Sequence, residues 1–237
     1  MFKRIVAAAA LAGALSGLLL TGVQQIEIAP LIRSAEAQEA ANAASGVESA
    51  VAAHKARERR DGWERLTATA VANTVLATAY ALLLAAALSV RRQSGWRAGF
   101  AWGIAGYAVF FVAPALGIAP LLPGSDAAPL ADRQMWWVGA VSCSAAGLWL
   151  TAFAKSPLPR IAGIALIVAP HVIGAPQAPA GAPNDADAAR EFIRATYLAN
   201  AALWLALGTS VAVLLRPGHS SRSGEGRPPF GGADSTR

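Results

Sequence analysis

The sequence predicts an all-α, polytopic membrane bundle of six transmembrane helices with both termini in the cytoplasm. Three observations predict it: a composition poor in charge, six charge-free runs, and loops whose charge alternates along the chain. Of 237 residues, 55% are hydrophobic and 14% charged, where soluble domains carry about 25% charged residues.

The charge-free runs are Ile5–Val23, Leu66–Val90, Ala98–Leu116, Met135–Ala154, Ile161–Ile173 and Ala195–Leu215. Five have 19 to 25 residues, enough helix to cross about 30 Å of hydrocarbon. The first follows Lys3 and Arg4. Its apolar core is longer than that of a secretory signal and no small-x-small cleavage site follows at the right distance, which predicts an uncleaved helix. The fifth has only 13 residues and holds Pro170. It is expected to be short and broken there, because proline frees the carbonyl one turn earlier, at Leu166.

Loop charge tests the count. Residues 1–4, 91–97, 155–160 and the tail from Arg216 together carry +9, while residues 24–65, 117–134 and 174–194 carry −1 each. These loops hold the whole net charge of +6. Basic and slightly acidic loops alternate, as the positive-inside rule requires for six spans with both ends inside; with five spans the tail would fall on the wrong side. The basic pI therefore reports topology, and no nucleic-acid partner is implied.

A transmembrane domain over residues 1–216 follows, with an Ala-rich outer loop at 24–65 expected to form one or two surface helices. Residues 217–237, rich in Gly, Ser, Pro and Arg, read as a disordered cytoplasmic tail. "GALSG" (Gly13 to Gly17) and "GFAWG" (Gly99 to Gly103) have the GxxxG spacing of close helix contacts, though in a chain this rich in Ala and Gly the spacing alone does not discriminate. "VAPALGIAP" and "VAPHVIGAP" form a faint internal repeat, and Ala-Pro is also this chain's commonest proline context.

His171 is the candidate that placement singles out. Counted from Arg160, eleven residues at 1.5 Å rise put it about 16 Å deep, near mid-membrane. The chain then stays uncharged through "GAPQAPAGAP", which cannot be regular helix. Irregular backbone at that depth is tolerated where protein buries it or it lines a watery cavity, so this segment has the look of an interrupted transport helix. The competing reading is a hydrogen-bonded packing histidine.

Outer-side acids that could act with it are Glu27, Asp61, Glu64 and Asp132, with Gln24, Gln25, Glu36, Glu39 and Asp126 nearby. Asn73, Met135, Cys143 and Asn200 lie in or near spans. Carboxylates with one imidazole suit a borderline divalent cation without choosing among cobalt, nickel, zinc and manganese. Taken singly, these acids read as solvated loop charges, Asp61 and Glu64 as helix-start residues, and Cys143 as a small packing residue. No GxxxxGK[ST], GxSxG, HExxH or CxxC occurs, so ATPase, hydrolase and redox readings lack residue support, and no enzyme is expected.

"DGWER" (Asp61–Arg65), "VFFVAPALG" (Val109–Gly117), "LPG" (Leu122–Gly124), "DRQMWW" (Asp132–Trp137) and "PHVIGAP" (Pro170–Pro176) resemble the CbtA family of predicted cobalt transporter subunits. The resemblance runs in order over most of the membrane domain. It implies a multi-pass protein of the bacterial cytoplasmic membrane for cobalt uptake, connected with cobalamin synthesis. It also implies a small single-span, His-bearing partner, CbtB. Cobalt(II) would be cargo, and no cofactor is expected. The family is described with five spans where the loop charges count six; the short fifth segment accounts for the difference. A non-transporting membrane assembly or scaffold protein is the alternative.

Overall fold

The computed structural model describes residues 2–43, 47–123, 125–178 and 186–216, with side chains outside 38–61. Every regular element among them is helical: α1 (Phe2–Val23), α2 (Ala29–Ala43), α3 (Val47–Val90), α4 (Trp96–Tyr107), α5 (Ala113–Gly117), α6 (Leu130–Phe153), α7 (Pro157–Ile173) and α8 (Ala186–Leu214). Five stretches are long and apolar enough to cross a membrane: Phe2–Ala37, Gly62–Val90, Trp96–Gly117, Leu130–Phe153 and Ala186–Leu214. The predicted tail, residues 217–237, lies outside the described residues.

Two π-helical turns join helices without a break. Gln24–Ile28 links α1 to α2, with helical backbone on both sides at Val23 (φ −62°, ψ −43°) and Ala29 (φ −61°, ψ −35°). Ala108–Val112 links α4 to α5 in the same way. Each inserts one extra residue into the ladder, a device often found at functional positions.

The expected surface helices of residues 24–65 turn out to be extensions of the spans themselves. α3 has 44 residues, about 66 Å at 1.5 Å rise and roughly twice the hydrocarbon thickness. α2 prolongs α1, and the Arg65 guanidinium donates two hydrogen bonds to the Glu36 carboxylate, at 2.9 and 3.1 Å, tying α2 to α3. A continuous apolar-to-polar helix needs no turn at the membrane surface, and residues 31–65 supply no proline to impose one.

The core is built by α1, α3 and α8: Leu20, Leu84, Leu88, Leu203, Trp204, Leu207 and Val211 are buried together. Lipid chains are as apolar as leucine, so close backbone packing has to hold these helices. Small residues supply it. A Cβ on Gly17 would lie 2.6 Å from the Thr74 Cα on α3, and one on Gly103 would lie 2.6 Å from the Trp204 carbonyl oxygen on α8. Both GxxxG pairs thus mark helix crossings. α6 and α7 form a second antiparallel pair, meeting at Gly147 and Gly163. This pair joins the rest mainly through α5 and the second π-turn.

The start of α1 and the end of α8 are neighbours. The Arg4 guanidinium donates to the Arg216 carbonyl, and the Gly95 amide, just before α4, donates to the Ala212 carbonyl at 3.3 Å. At the same end of the bundle the Arg91 guanidinium lies 4.0 Å from the Phe153 ring centroid, linking α3 to the end of α6.

α7 departs from its expected shape. It begins at Pro157, runs through Pro170 and stops at Gly174, whose φ of 92° only glycine adopts freely. Pro170 sits in the last turn, so its missing N–H removes a single helix bond and the Gly174 amide still reaches the Pro170 carbonyl at 3.0 Å. The helix is short, as expected, but the chain leaves it after Ile173 and not at Pro170. Its 17 residues span about 25 Å, and His171, fourteen residues from its start, lies about 21 Å along it. That is close to the far end of the helix, beyond the mid-membrane depth counted from Arg160.

Candidate functional site

The ends of α5 and α7 and the beginning of α6 converge at what the loop charges make the outer end. Trp136, in the second turn of α6, is the hub. A Cβ on Gly117 would run into its indole and come within 3.0 Å of the Ala175 Cβ, so only glycine lets α5 approach this ring. On another side the His171 imidazole meets the Trp136 ring edge-on, centroids 6.0 Å apart at 69°. His171 is half-buried. Beside them opens a groove of ≈ 570 Å³ lined by Pro114, Ile118, Leu130, Arg133, Gln134 and Trp136, among others.

The five residues proposed as metal ligands fall into two places. His171 occupies the last turn of α7, and Asp132 the exposed first turn of α6. Glu27 is exposed on the first π-turn and Glu64 exposed on α3, on the hairpin of the first two spans. Asp61 lies on α3, and its side chain falls outside the described residues, as does that of Glu39. Among the described residues no three His, Cys, Asp or Glu side chains come together as a metal-holding group.

Of the accessory candidates, Glu36 is engaged by Arg65 and Asp126 is exposed in the segment before α6. Met135 is exposed, and Cys143 is a free, half-buried thiol. Asn200 donates to the Thr196 carbonyl of its own helix at 3.0 Å. Asn73 and Gln24, 49 residues apart, do meet: the Asn73 amide donates to Gln24 Oε1 at 2.7 Å and to the Thr21 hydroxyl oxygen at 3.0 Å. This polar cluster crosses from α3 to α1 where the first π-turn begins. Three residues apart on one helix, Thr21 and Gln24 share a face, and Asn73 meets both.

Gly117, Arg133 and Trp136 were not singled out as candidates by sequence, although all three lie within the family-like motifs. A tryptophan doublet shortly after Asp-Arg is a visible local signal; its contact with a histidine 35 positions later is not.

A helical bundle with this apolar surface and five helices long enough to span a bilayer defines a multi-pass membrane protein. The chain belongs to the CbtA family, described as a probable cobalt transporter subunit, whose model matches residues 2–216. No curated protein and no solved structure matches the chain.

Proposed function

We propose that the chain is the membrane subunit of a cobalt(II) uptake transporter in the bacterial cytoplasmic membrane. Its work feeds cobalamin synthesis, with a small single-span, His-bearing, CbtB-like protein as partner. The family membership over residues 2–216 carries this reading. Transport, not catalysis, is the activity assigned.

The bundle crosses six times, with α7 as the fifth crossing and both chain ends inside. The neighbouring Arg4 and Arg216 support it, since chain ends on one side require an even number of crossings. The basic loops put that side in the cytoplasm. A reporter fused after Leu215 is expected to be active only as a cytoplasmic enzyme; activity as a periplasmic one would defeat the count.

Cobalt is handed along by transient ligands. Glu27, Asp61 and Glu64 gather the ion near α1–α3, and Asp132 and His171 receive it where α6 begins and α7 ends. One imidazole with weak oxygen partners and water binds loosely, and conduction needs release as much as capture. The Gln variant of His171 keeps polarity and approximate size but is a much poorer ligand. Cells carrying His171→Gln are expected to make normal amounts of membrane protein and lose most cobalt uptake, while His54→Gln and His219→Gln match wild type. Normal uptake by His171→Gln would leave the histidine a packing residue and favour the scaffold reading.

A further inference from the structure

The groove beside Trp136 carries donors without acceptors. Arg133 Nε and Trp136 Nε1 are both buried and have no hydrogen-bond partner among the described residues. Arg133 makes no ion pair among them either, although Asp132 precedes it in the chain, exposed on the same first turn. A guanidinium stays charged at any physiological pH and an indole nitrogen can only donate. The pair therefore has no lone pair to offer a metal ion, and leaving buried donors unmatched is costly. What they suit is an anionic oxygen.

The surroundings say how that oxygen arrives. Pro114, Ile118 and Leu130 make the walls apolar. Leu130 and Val138, which line it, are 61% and 56% exposed, in the manner of side chains that face acyl chains. The groove lies at an end of α6, where Trp136 and Trp137 stand at the depth that interfacial tryptophans favour. A small free anion would leave the apolar walls wet, whereas an amphiphile with an acidic head matches both halves.

We propose that this groove holds one phospholipid, with its phosphodiester oxygens on Arg133 and Trp136 and an acyl chain along Leu130 and Val138. Because the phosphate is the recognised group, zwitterionic and anionic headgroups both fit, and a neutral diacylglycerol does not.

The test uses the full-length protein purified in mild detergent. Phosphatidylglycerol, phosphatidylethanolamine and diacylglycerol with matched acyl chains are titrated in turn, and bound lipid is counted by native mass spectrometry. Wild type is expected to hold one molecule of either phospholipid and to reject diacylglycerol. Arg133→Gln should weaken phospholipid binding by about tenfold or more, the scale of a lost hydrogen bond to a charged group. Trp136→Phe, which keeps an aromatic ring but removes the N–H together with the pyrrole half of the indole, should weaken it by a few-fold. Equal SDS-unfolding stability of wild type and both variants guards against misfolding as the cause. Equal retention of diacylglycerol, or undiminished phospholipid binding in both variants, overturns the proposal. Displacement of the lipid by inorganic phosphate alone would overturn it in favour of a free-anion site.

Discussion

Gly147→Ala asks whether the α6–α7 pair is held by backbone approach. A Cβ at Gly147 would lie 2.5 Å from the Gly163 carbonyl oxygen and 2.7 Å from Ile167 Cγ1, where ordinary contact begins at 3.4 Å. The shortfall against the carbonyl is about 0.9 Å, and it falls on backbone, which cannot swing aside as a side chain does. The two helices must separate or slide. Overpacking of this kind costs about 1–3 kcal/mol, or about 5- to 150-fold in the population of the packed pair. Because α7 leans chiefly on α6, the loss is felt by α7 and should free it first. The control is on the same helix: a Cβ at Gly139 meets nothing within 4 Å, and alanine there is expected to be neutral or slightly stabilising. SDS-driven unfolding of the purified protein gives the free energies, and thiol labelling of a cysteine placed at half-buried Leu166, with Cys143 replaced by serine, reports release of α7. Equal stability and equal labelling of Gly147→Ala and Gly139→Ala would refute the reasoning.

Asn73→Leu removes the two donations to Gln24 and Thr21, and interhelical hydrogen bonds in membranes average about 0.6 kcal/mol each. A loss of about 1 kcal/mol in SDS unfolding is expected, and a gain in stability would show that the cluster is not structural glue. Glu27→Gln with Glu64→Gln should raise the apparent half-saturation for cobalt uptake, most clearly at low ionic strength, because exposed charge acts over a screening length of about 10 Å at 0.1 M salt. An unchanged uptake curve in the double variant removes both acids from the mechanism.

Helix positions were legible because a span must be long, apolar and free of charge, and those demands leave a plain mark on sequence. The runs Leu66–Val90 and Met135–Ala154 end within a residue of α3 and α6, while the apolar part of α3 and α6 itself begin four and five residues earlier, at Gly62 and Leu130. The hairpin was less legible. Nothing in an Ala-rich amphiphilic stretch distinguishes a separate surface helix from the continuation of a span, and α3 proved to be the latter. Pro170 misled for a related reason: the rule that proline breaks helices applies to interiors, and the stop signal was Gly174, four residues on, whose positive φ ends the helix. The π-turns share a local mark that went unread: each ends two residues before a proline, Pro30 or Pro114, which cannot donate to the carbonyl four residues back. The site followed the same division. His171 could be singled out by its apolar setting, but its contact with Trp136, and the gap at Gly117 that makes room for the indole, depend on three segments meeting in space.

The place of α8 in the core carries a consequence for how the protein is made. The first helix to leave the ribosome packs against α3 and against the last one, and the glycines of α4 wait for Trp204 and Gly208 on that same last helix. Chains emerge from the N-terminus at about 5–20 residues per second, so α1 can dock Gly13 and Gly17 on α3 early, while α4 waits in the bilayer with its glycine face open until α8 is made. Docking of α8 is therefore a closing event that follows the α1–α3 pairing, and any chain cut short before Ala186 would leave α4 without the surface it was shaped to meet.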